Sequence, residues 1–94
     1  MKLEATRATL EDLTWRVQNR AGDPNLLVAQ TSMLKNQATQ TMQFCADQAV
    51  QILGGMGYMR GSRVERIYRE VKVNMIGGGA EEIMKDLAAR QMKF

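Results

Sequence analysis

The chain has no histidine, one cysteine, one proline and only 5% aromatic residues. Without histidine, the usual imidazole-based catalytic triads and imidazole metal sites are excluded, and no metal site is expected. Cys45 alone cannot close an internal disulfide, and its place in an apolar helical stripe predicts a small core residue. No segment reaches the ~18 apolar residues of a membrane-spanning helix. Met1–Arg20 carries charge throughout and has no apolar core like that of a signal peptide, so the expected compartment is reducing and cytoplasmic. Internal repeats, low-complexity tracts and linkers are also missing. No stretch alternates apolar and polar residues between turn signals, which leaves helical periodicity from end to end.

What is present fits one small domain. A chain of 94 residues buries well under ~70% of the surface its unfolded form exposes, so a large self-sufficient active site is not expected. The composition is 45% hydrophobic and 24% charged, with 8 methionines, which suggests adaptable packing surfaces. The net charge of +3 is mild, and acidic residues are interleaved with basic ones. Nucleic-acid binding is permitted by this balance but not indicated.

Four helical segments are expected. The first, roughly Met1–Asn19, places Leu3, Leu10, Leu13 and Val17 on one face and Met1, Ala5, Ala8 and Trp15 nearly opposite, so it needs partners on two sides. Gly22 ends it; Asp23 can cap the next helix, with Pro24 at its first position. That helix runs to about Leu53. Leu27, Thr31, Leu34, Ala38, Met42, Cys45, Ala49 and Ile52 form its stripe at spacings of three and four, along a rod on the order of 45 Å. Lys35 and Asp47 are its only charges, so it should be surrounded on several sides. A third helix opens with a capping box, Ser62 to Glu65, and turns Val64, Ile67, Tyr68, Val71 and Met75 inward. The fourth begins at Glu81 and Glu82, with Ile83, Met84, Leu87 and Ala88 inward.

Two glycine-rich breaks stand out. Gly54-Gly55-Met56-Gly57-Tyr58 supplies a left-handed terminator at Gly54 or Gly55 and a turn at Gly57. One glycine would suffice to end a helix; the surplus suggests a close backbone approach by a ligand or another chain. Gly77-Gly78-Gly79 should form an open loop whose N–H groups, ahead of a helix N-terminus, suit a polar ligand. It is no phosphate-binding P-loop, because the lysine and hydroxyl after the last glycine are absent. Arg60, Arg63, Arg66, Arg69 and Lys72 recur every third residue, but steps of three drift around a helix, and Glu65 and Glu70 neutralise neighbours. A salt-bridged solvent face is expected there, not a nucleic-acid helix.

Taken together, Ala49-Val50-Gln51-Ile52-Leu53-Gly54-Gly55-Met56-Gly57-Tyr58, Val64–Glu70 and Ile76-Gly77-Gly78-Gly79-Ala80-Glu81-Glu82-Ile83, closing with Ala89-Arg90, resemble the C-terminal helical domain of acyl-CoA dehydrogenases. The resemblance covers essentially the whole chain, residues 1–94. It implies an all-α antiparallel helical bundle, the family's C-terminal four-helix bundle without its first helix, and hence an incomplete domain of a several-fold longer flavoprotein. The family's reaction is the α,β-dehydrogenation of an acyl-CoA thioester, with FAD taking hydride and an electron-transfer flavoprotein receiving electrons.

On the same resemblance, Gln51, Ile52, Leu53, Gly54 and Gly55 contact the FAD of a neighbouring subunit, and Ala80, Glu81 and Glu82 lie against the adenosine side of another. The implied assembly is a homodimer or homotetramer. Gly78 stands where many members carry the catalytic glutamate, and glycine cannot take a proton. The chain is therefore similar to the branch typified by isovaleryl-CoA and long-chain acyl-CoA dehydrogenases, whose base lies on an earlier helix. Alone, it is expected to be inactive and not to retain FAD. The alternative reading is a free-standing helical oligomerisation or adaptor module.

Overall fold

A computed structural model describes all residues, Met1–Phe94. Helix formers dominate between the glycine breaks, and the chain forms α1 (Lys2–Gln18), α2 (Pro24–Leu53), the single turn α3 (Gly55–Tyr58), α4 (Arg63–Ile76) and α5 (Glu81–Gln91). Every other element packs against α2, which runs along the molecule's 48 Å long axis, and α3 also touches α4. The fold is thus all-α, with a central rod and shorter helices laid along it.

The caps follow the sequence. Gly22 adopts φ +92, Asp23 accepts from the Asn25 N–H at 3.0 Å, and Pro24 occupies the first turn. Ser62 Oγ likewise accepts from the Glu65 N–H at 3.2 Å. The capping box is only half made, because the Glu65 carboxylate turns instead to Arg69 at 2.8 Å. An ion pair to a residue one turn on competes directly with the reach back to Ser62.

The core differs from the expected one. On α2 the buried residues are Ala29, Ser32, Asn36, Thr39, Thr41 and Ala46; all but Thr41, which meets Thr6 of α1 at 3.1 Å, lie on a face turned roughly 130° from the stripe read in the sequence at about 100° per residue. Leu27, Leu34, Ala38 and Ala49 are half-buried, whereas Thr31, Met42, Ile52 and Cys45 are exposed. Cys45 is therefore a surface thiol and not a core residue. The reason is steric: small side chains let α4 and α5 approach the rod closely, and the bulkier apolar residues face elsewhere. On α1 only Leu13 is buried, while Leu3, Leu10, Trp15 and Val17 remain exposed. On α4, Val71 is buried, Val64 and Met75 are half-buried, and Ile67 and Tyr68 lie at the surface; on α5, Ala88 is buried but Ile83 is exposed.

Candidate functional site

The first break is built around three glycines with different tasks. Gly54 takes φ +61 and ψ −137, a conformation foreign to L side chains, while its N–H still bonds to the Val50 and Gln51 carbonyls. It ends α2. The Gly57 and Tyr58 N–H groups then bond to the Gly54 carbonyl, making α3, a helical turn where a plain turn was expected. Gly57 is buried, and a Cβ there would lie 2.9 Å from the Val50 carbonyl oxygen. Gly55 needs neither service: its φ is ordinary and nothing lies within 4 Å of where a Cβ would stand. Gln51, Ile52, Leu53, Gly54 and Gly55 are all exposed, Ile52 to 82%. A cleft of about 730 Å³ has Val50, Gly57, Tyr58 and Tyr68 among its walls, but none of Gln51 to Gly55 lines it.

At the second break, Gly77 closes α4 by donating to the Val73 carbonyl at 2.7 Å. Gly78 and Gly79 follow at φ +72 and +116, so the loop is open as expected. A side chain on Gly79 would collide with the flexible end of Met84. Ala80 precedes α5 without a side-chain cap. The N–H groups of Glu81, Glu82 and Ile83, in the first turn, have no intrahelical acceptor. Glu82 is exposed.

Residues from the rod hold this segment. Lys35 Nζ donates to the Gly79 carbonyl at 2.6 Å and the Met75 carbonyl at 3.3 Å. Asn36 Nδ2 donates to the Glu81 carbonyl at 3.0 Å, and Gln40 Nε2 to the Glu81 carboxylate at 2.8 Å. Lys85 completes the set at 2.9 Å from Glu81. That hydrogen bond holds the Glu81 carboxyl below its ordinary range, helped by the charge of Lys85 and the Gln40 amide against partial desolvation. Lys85 is raised in turn, chiefly by its bond to Glu81. The Glu81 carboxylate is thus engaged on both sides, by Lys85 and by Gln40.

The rod places Gln40 and Gln51 about 16 Å apart at 1.5 Å per residue. The two glycine breaks therefore form two separate faces, not one pocket. Sequence reasoning missed Lys35, Asn36 and Gln40; the available signal was that Lys35 is one of only two charges between Pro24 and Met59. The arginine series of α4 forms no basic stripe, with Arg66 paired to Glu70 at 3.7 Å and Arg69 to Glu65.

The family model for the acyl-CoA dehydrogenase C-terminal domain matches residues 1–93. The chain belongs to the acyl-CoA dehydrogenase family. Among the relatives of this acyl-CoA dehydrogenase domain is the Escherichia coli protein named Probable acyl-CoA dehydrogenase YdiO, 34% identical over 83 residues, covering 88% of this chain and 22% of that protein. Another is acryloyl-CoA reductase (NADH) of Anaerotignum propionicum, 35% identical over 91 residues, covering 97% and 22%. A crystal structure of a candidate acyl-CoA dehydrogenase from Mycobacterium smegmatis superposes with a TM-score of 0.87 at 40% identity, over 99% of this chain and 24% of that one. The domain thus spans about a quarter or less of the length of these relatives. No helix of the chain is long and apolar enough to cross a membrane.

Proposed function

We propose that the chain is the C-terminal portion of an FAD-dependent acyl-CoA dehydrogenase, that it contributes cofactor contacts and subunit assembly, and that it is inactive alone. The observation that carries this is the unassigned opening at the two breaks. Gly55 is free of any internal packing duty, and α5 begins with donors that no side chain caps. Both suit the approach of a large polar cofactor. Gln51 to Gly55 would meet the FAD of one subunit, and Ala80 to Glu82 the adenosine side of another. The separation of the two faces along the rod supports two cofactors in a homodimer or homotetramer.

Bound FAD supplies the hydride acceptor for dehydrogenation of the acyl-CoA. This chain's own residues supply backbone donors and a close approach at glycine, without a base. At Gly78 there is no ionisable group, so the catalytic carboxylate belongs to a preceding segment, as in the branch with a displaced base. The parent would be cytoplasmic and pass electrons to an electron-transfer flavoprotein.

The test is a chimera in which this chain replaces the matching C-terminal quarter of the Mycobacterium smegmatis protein. It should purify with bound flavin. A folded chimera that assembles but holds no flavin would overturn the reading. That outcome would favour an adaptor or oligomerisation module, the second reading, which the exposed Leu53, Met56 and Met59 also suit.

A further inference from the structure

Three successive glycines carry no side chains with which to hold a shape, and glycine loses more freedom on ordering than any other residue. Yet the Gly77–Glu82 segment has a definite course, and the bonds that impose it come from residues 35, 36 and 40 of α2. The Met75 carbonyl is among the last four of α4, and neither it nor the Gly79 carbonyl receives a backbone donor. The Lys35 ammonium bonds to both. These are charge-assisted bonds, and the cation also complements the negative end of the α4 dipole.

The direction matters more than the anchoring. In a trans peptide the C=O and the following N–H point in opposite directions. With the Gly79 carbonyl drawn to Lys35 on α2, the Ala80 N–H must point away from the rod. The same geometry applies two residues on, where Asn36 draws in the Glu81 carbonyl and the Glu82 N–H points away. Neither N–H has a backbone acceptor.

We infer that Lys35 is a positioning residue. It orients the Ala80 peptide so that its donor faces an acceptor-bearing ligand, with Asn36 doing the same for Glu82, although Lys35 touches no ligand itself. The ligand identity, the adenosine side of FAD, rests on the reading given above; the latch does not.

Two readouts separate the claims. In the isotopically labelled 94-residue chain, Lys35→Met should shift the carbonyl carbons of Met75 and Gly79 and speed exchange of the Ala80 amide, while α1 and the C-terminal half of α2 keep their signals. Lys35→Arg should restore the Gly79 shift. In the flavin-binding chimera, Lys35→Met should weaken FAD about tenfold, the equivalent of one well-aimed hydrogen bond, and Lys35→Arg should recover most of it. Unchanged Met75 and Gly79 carbonyls in Lys35→Met would overturn the latch. A moved segment with unchanged FAD affinity would keep the latch and overturn its cofactor-facing reading. If Lys35→Met does not fold, the unmodified chain decides: a slowly exchanging Lys35 ammonium coupled across a hydrogen bond to the Gly79 carbonyl supports the latch, and a freely exchanging one refutes it.

Discussion

Gly54, Gly55 and Gly57 lie within four positions, and a methyl group would meet a different fate at each. At Gly57 it would press on the Val50 carbonyl oxygen at 2.9 Å and on Leu53 Cβ at 3.1 Å, neither of which can move aside cheaply. Gly57→Ala should therefore destabilise the chain by about 1–3 kcal/mol in thermal or urea unfolding. Gly55→Ala, in open space with an ordinary φ, should leave stability unchanged or raise it by up to ~1 kcal/mol. In the flavin-binding chimera the order should invert at Gly55: the stable variant should lose cofactor, because the added methyl occupies the path of approach. Equal flavin retention by wild type and Gly55→Ala would sink that role. Gly54 as terminator was legible from the sequence, since a glycine after a long helical period is a standard helix end. The duty of Gly57 was not, because the atom that forbids its side chain sits a full turn and more earlier and meets it only once α3 has folded back.

The elements were legible at their boundaries and in part on the inner faces of α4 and α5, where Val71 and Ala88 are buried, but the face of α2 was misread. Asp23, Pro24 and Ser62 marked helix starts through local chemistry, and local chemistry survives folding. The face of α2 is a tertiary choice: its most apolar stripe and its buried stripe differ, because close helix approach selected Ala29, Ser32, Thr39 and Ala46 over leucine and methionine. Asn36 and Lys35 escaped notice for the same reason, their partners being carbonyls more than thirty residues away. The start of α5 gives a measurable pH signature. Because Glu81 has its carboxyl lowered on folding, its ion pair stabilises the chain fully above the ordinary glutamate value of about 4.5, and that contribution is lost as pH falls through the lowered one. Carboxyl-carbon NMR titration should place Glu81 below its value in the unfolded chain. Lys85→Met should return it most of the way and Gln40→Ala less. A midpoint indifferent to Lys85 would contradict the assignment. Lys85 works in the opposite sense: raised on folding, it contributes below its ordinary value, and that contribution is lost as pH climbs through the raised one.

At the scale of the molecule, only 10 of 94 residues are buried, and Leu3, Leu10, Trp15, Ile52, Met56 and Ile76 are among the large apolar side chains left at the surface. An unassociated domain rarely shows so much apolar surface. Sedimentation at micromolar concentration should find the chain in oligomers, dissociating on dilution; a folded monomer across that range would contradict the inference that these faces await partners. The sequence asks for partners on two sides of the first helix and for a well-surrounded rod, and in the unassociated chain both leave large apolar side chains at the surface, Trp15 and Ile52 among them. The small-residue core carries one further consequence, for temperature. Alanine, serine and threonine bring little hydrocarbon out of water, so unfolding the unassociated chain should raise its heat capacity by less than the usual ~12 cal/mol/K per residue. Its stability curve should then be shallow and broad, and burying the outward-facing leucines and methionines against a partner should raise the curvature and sharpen the melting.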